Sequence, residues 1–114
     1  MFVLRLTEEQ ANIVSVACEF FARVKMGQFG EITWHCAQNH CPQNPDATEK
    51  AMLDFRNHIY PDLVGIGHSY GIGKFEDADM AYDVHQVIRF AMGGKEPFSY
   101  NPLPICEKVG ETKI

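Results

Sequence analysis

The chain has 114 residues, 46% of them hydrophobic, enough for a single domain that buries about two-thirds of its unfolded surface. Fifteen acidic against ten basic residues give a net charge of −5, which argues against binding nucleic-acid polymers through their phosphates. No stretch reaches the roughly 20 apolar residues that span a bilayer, and MFVLRLTEEQ lacks the pattern of a signal peptide, so a soluble protein of the cytosol is expected. In that compartment Cys18, Cys36, Cys41 and Cys106 are expected to stay reduced.

Residues 2–6 alternate apolar and polar side chains and read as a short strand. Its partner would come from residues 98–100, residues 105–109 or another subunit. Residues 7–25 read as the longest helix. Thr7 and Gln10 form a capping box, and Glu8 and Glu9 occupy the first turn, where the helix dipole favours negative charge. Glu8, Asn12, Ser15, Glu19 and Arg23 recur at steps of three and four as a wet stripe. Ile13, Val14, Val16, Ala17, Phe20, Phe21 and Val24 cover the remaining circumference. One neighbouring helix cannot cover so wide an apolar face. The helix is expected to be central to the fold or shared with a second subunit.

Gly27 suits the left-handed residue that ends a helix. A second helix over residues 28–38 follows from Phe29, Ile32 and Cys36, with Gly30 weakening it. Two X-Pro steps make 39–45 a loop. Asp46 and Glu49 predict the cap of a third helix over 47–59, with Met52, Phe55 and Ile59 inward and Glu49, Lys50, Asp54 and Asn57 outward. Residues 62–75 carry four glycines and read as a long ordered loop. A last helix over 77–92 has Ala81, Val84, Ile88 and Ala91 inward and Asp79, Asp83 and Gln86 outward, and Gly93-Gly94 ends it. A proline-bearing, irregular tail follows. The expected architecture is mainly α: one domain over 1–114, about four helices and a small strand element.

The phrases Met26-Gly27-Gln28-Phe29-Gly30-Glu31, Ser69-Tyr70-Gly71-Ile72 and Asp83-Val84-His85-Gln86-Val87-Ile88-Arg89 resemble a family of small bacteriophage proteins. That family carries MGQF-E, SYGI and D-x-x-Q-V-I-R segments in this order, and the likeness covers most of residues 3–90. It implies an origin and a context, a phage protein in the host cytosol, and no particular chemistry.

Several groupings invite a chemical reading. Gly67-His68-Ser69-Tyr70-Gly71 matches G-x-S-x-G, but a nucleophile elbow needs a buried strand before it and a helix directly after it. Gly73 and Lys74 end the loop without the spacing of a P-loop. His35, Cys36, His40 and Cys41 are metal-ligand types, yet a structural zinc site needs a second ligand pair elsewhere, and none is spaced for it. No metal or cofactor is expected, and no enzyme, since no nucleophile and base stand at convincing spacing. Trp34 reads as core or interface.

The expected function is a non-enzymatic phage accessory factor that assembles as a homo-oligomer and sequesters a small anionic host ligand, such as a nucleotide defence signal. The alternative is an inhibitor or structural factor that binds a host protein. The ligand site is expected at His68, Ser69, Tyr70, Gly71 and Lys74 of the glycine loop. Tyr82, His85 and Arg89 of the last helix would face it, with Gly27 and Gln28 as a further wall.

Overall fold

The computed structural model describes residues 1–36, 43–65, 67–98 and 102–110. The protein is mainly helical, with α1 (Glu8–Lys25), α2 (Gly30–Cys36), α3 (Pro45–Ile59) and α4 (Glu76–Ala91). Among the described residues no strand occurs. Residues 2–6, expected as a strand, have no regular structure and leave Phe2, Val3 and Leu4 exposed. Residues 105–109 are equally irregular, so neither segment satisfies the other's backbone groups. No described helix is long and apolar enough to cross a membrane.

The chain divides into two compact units, one formed by Met1–Glu19 with Met80–Ile114 and the other by Phe20–Asp79. In the first, α1 opens with the expected capping box: Thr7 N donates to Gln10 Oε1 at 3.0 Å, and Gln10 N donates to Thr7 Oγ1 at 3.2 Å. The stripe read as wet is not uniformly so. Ser15 is only 5% exposed, whereas Ile13, Val16 and Ala17 face solvent.

On α4, Asp83 and Gln86 are likewise buried where an outward position was expected, together with His85, Val87 and Ile88. Gln86 is buried because its amide has backbone partners: Nε2 donates to Phe98 O and Oε1 accepts from Phe98 N, each at 2.8 Å. One side chain thereby fastens the tail, as a strand neighbour would. Gly93, at φ 95°, ends α4 by a Schellman pattern, with Gly93 N bonded to Phe90 O and Gly94 N to Arg89 O.

In the second unit α1 stops by the same pattern. Gly27 has φ 93°, its N–H reaches Val24 O, and the Gln28 N–H reaches Arg23 O. The α3 cap is Asn44 instead of Asp46. Its side chain accepts from Ala47 N at 3.1 Å, and Pro45 takes the first helical position, where no N–H is needed. The inward face of α3 is also rotated from expectation. Phe55 and Ile59 are exposed, Met52 is half-buried, and the buried residue is Arg56. In the same unit Met26, Phe29 and Leu63 are buried, and Tyr60, Tyr70 and Phe75 meet ring to ring.

Candidate functional site

The glycine loop of the second unit is held from below by one cation. Arg56, 3% exposed, donates from Nη1 to His68 O at 3.0 Å and from Nη2 to Gly65 O at 2.9 Å. Its Nε and Nη2 also reach Asn57 Oδ1 at 3.3 and 3.1 Å. Every one of these acceptors is neutral, and among the described residues no carboxylate pairs with the guanidinium. A full positive charge therefore lies under the loop, with no counter-ion among the described residues.

The two inward carbonyls set the direction of the backbone. In a planar trans peptide the N–H points opposite to the C=O, so the Ser69 N–H is aimed away from Arg56. Among the described residues it meets no acceptor. The next amide is used otherwise: Tyr70 N donates to Met26 O at 2.8 Å, while Tyr60 Oη donates to Lys25 O at 2.7 Å. Two carbonyls that the end of α1 leaves unbonded are satisfied by these contacts, and the loop is fixed in place. Gly65, Gly67 and Gly73 have φ of 86°, 82° and 98° with open space where a Cβ would stand, so backbone conformation is what requires glycine there.

Ring chemistry completes the loop. Tyr70 donates its hydroxyl to Asp62 in a short hydrogen bond. That bond to the carboxylate pushes the Tyr70 phenol up to about 12, and it holds Asp62 below its ordinary value. Lys74 Nζ lies 5.0 Å from the centre of the Tyr70 ring, and Lys25 Nζ lies 5.4 Å from that of Phe75 and 3.4 Å from Asp77 Oδ2. His68, Ser69, Gly71 and Lys74 are exposed.

The expected site residues thus fall into two groups. His68, Ser69, Tyr70, Gly71 and Lys74 share the loop, with Gly27 and Gln28 in the same unit. Gly27 is no open wall: a Cβ there would stand 2.5 Å from Leu63 Cδ1, so its glycine serves helix termination and packing. Gln28 accepts from Arg23 Nη1 at 3.0 Å.

Tyr82, His85 and Arg89 belong to the other unit. Arg89 is exposed and Tyr82 half-buried, but His85, expected to present its ring to a ligand, is 4% exposed. Its Nδ1 lies 2.8 Å from Ser15 Oγ and 3.1 Å from Ser15 O, and Ser15 Oγ donates to His85 O at 3.1 Å. A carbonyl only accepts, so Nδ1 carries the proton in the contact with Ser15 O. Glu19 Oε2 stands 3.0 Å from Nε2. Serine, histidine and carboxylate meet here, yet the serine hydroxyl is buried and spends its proton on a carbonyl. The cluster reads as a polar joint between helices rather than an activated nucleophile.

No protein-family model, curated protein or solved structure matches the chain. The site therefore rests on its own chemistry. Sequence reasoning missed Arg56, although Met52, Arg56 and Tyr60 stand at steps of four and so share one helix face. Among the described residues no group of three His, Cys, Asp or Glu side chains is placed to hold a metal. Cys36 is exposed, His35 is paired with Glu31 at 3.6 Å, and His40 and Cys41 lie outside the described residues.

Proposed function

We propose that the loop around residues 65–74 captures a small phosphate-bearing ligand of the nucleotide class without transforming it. The observation that carries this reading is the buried Arg56 guanidinium, bonded only to neutral acceptors beneath a backbone that turns the Ser69 N–H away from it. An anion about 6 Å from such a charge gains roughly 3 kcal/mol at an effective dielectric near 20, before its own desolvation. The chain's net charge of −5 is spread over the whole sequence, and salt screens exposed charges beyond about 8 Å. A local cation therefore outweighs the global sign. Lys74 and His68 add exposed donors at the rim, and ordered glycines let phosphate approach the backbone closely. Taken with the resemblance to small bacteriophage proteins, the reading is an accessory factor that withholds a host nucleotide signal.

Titration calorimetry with adenine mononucleotides, linear dinucleotides and cyclic dinucleotides tests it. One of these should bind, and Lys74→Ala should weaken that binding about tenfold or more, whereas Lys50→Ala on the outer face of α3 should leave it unchanged. Absence of binding across the panel, or binding indifferent to both Lys74→Ala and His68→Ala, would overturn the proposal.

A further inference from the structure

α1 is oriented contrary to its own amphipathicity. Ser15, Ala22 and Met26 are buried and Cys18 is half-buried, and steps of three and four put these four on one stripe of the helix. The opposite stripe holds Ile13, Val16, Ala17, Phe20, Phe21 and Val24. Of these, Ile13 is 66% exposed, Val16, Ala17 and Phe21 are also exposed, and no charged residue interrupts the row. Phe20 and Val24 are half-buried, with the Phe20 ring edge-on to His35, so the open part of the stripe is Ile13, Val16, Ala17 and Phe21. A lone outward leucine or valine would be ordinary, but four such residues on one helix stripe are not.

We infer that this outward stripe is the contact surface for a second copy of the chain, with the two α1 helices antiparallel about a two-fold axis at Ala17. Two features of the helix single out this occupant and this orientation. The first is charge. Glu8 and Glu9 fill the first turn of α1 and Arg23 and Lys25 the last, so an antiparallel pair sets acidic ends beside basic ends, and a parallel pair sets like beside like. Lys25, which also pairs with Asp77, keeps more than a third of its side chain exposed.

The second feature is register. An axis at residue 17 makes Ile13 level with Phe21 and Glu9 level with Lys25, and it brings the smallest side chain of the stripe to the crossing point, where helices must approach most closely. The surface is self-complementary, as a two-fold interface requires. Two acidic chains also repel each other least across a face without charges. The inference does not involve the glycine loop, so it stands or falls apart from the ligand proposal.

Sedimentation analysis of the intact chain at micromolar concentration should show a dimer. Ala17→Glu sets two carboxylates against each other at the axis and should weaken self-association at least about a hundredfold. Ile13→Glu should act in the same direction, with the helical circular dichroism of both variants unchanged. Mild oxidation tests the orientation. Compared with the parent chain, Ala17→Cys should gain a disulfide-linked dimer, whereas Glu9→Cys should gain none, because two such positions would lie about 24 Å apart along the antiparallel pair. A monomeric parent chain, an assembly that survives both glutamate substitutions, or cross-linking through position 9 would each overturn the inference.

Discussion

The two units bury polar groups for different ends. In the unit of Phe20–Asp79, the buried Arg56 acts on backbone, drawing the carbonyls of Gly65 and His68 inward and leaving exposed side chains above. In the unit of Met1–Glu19 with Met80–Ile114, buried Ser15, His85 and Gln86 act mainly on one another and on nearby backbone, joining α1 to α4 and α4 to the tail. The first arrangement keeps a net charge, and its hydrogen bonds shape a loop. The second links regular elements through hydrogen bonds between side chains and to backbone. Burial of a polar residue is thus a poor guide to function by itself; what the residue is bonded to decides whether any chemistry is left over.

Substitutions that exchange these roles should have graded effects. Arg56→Ala removes four charge-assisted hydrogen bonds and strands two carbonyls, so a loss of about 3–4 kcal/mol in denaturant unfolding is expected, with the loop amides losing hydrogen-exchange protection first. Gly27→Ala adds left-handed strain to a contact with Leu63 and should cost about 2–3 kcal/mol by the same measurement. Ser15→Ala removes the hydroxyl that donates to His85 O and contacts His85 Nδ1, and should cost about 1–2 kcal/mol, with the loop unaffected in exchange experiments.

The smallest effect is a pH dependence confined to the loop. The Asp62 carboxyl is held low by Tyr70, so its contribution is present above the ordinary carboxylate range and is lost as pH falls through its depressed folded value. The Tyr70 phenol is raised, so its contribution is complete below its ordinary value near 10 and is lost as pH rises through about 12. Tyr70→Phe should flatten the stability profile at both edges.

The helices were legible in the sequence because their punctuation is local. Thr7 with Gln10, Gly27 and Gly93 mark three helix ends correctly, since a capping box and a Schellman turn depend on residues within one turn of each other. Which side of each helix faces inward was harder to read. Polarity alone points Ser15 and Gln86 outward, yet both are buried against specific partners, at position 85 for one and position 98 for the other. Arg56 was missed for the same reason. The N-terminal strand failed differently: alternation was present, but pairing is a property of two segments and the second one is lacking among the described residues. The phrases Met26-Gly27-Gln28-Phe29-Gly30-Glu31 and Asp83-Val84-His85-Gln86-Val87-Ile88-Arg89 fall largely on structural positions, including buried Met26 and Phe29, the Gly27 turn, and buried Asp83, His85, Gln86, Val87 and Ile88.

The first turn of α4 gives the glycine loop a polarity. Glu76, Asp77 and Asp79 crowd that turn, and Asp79 already accepts the Gly73 N–H through both carboxylate oxygens, at 3.2 and 3.0 Å. The positive pole of the helix is therefore occupied by the protein's own anions, and a phosphate gains nothing there from the helix terminus itself. Among the described residues, the upstream end has Arg56 beneath it and no carboxylate bonded to its amides. On the reading proposed above, an elongated ligand with one charged and one neutral end would dock in a single direction, charged end toward His68 and Ser69, so that reversing the sequence of its groups would abolish the fit without altering its composition.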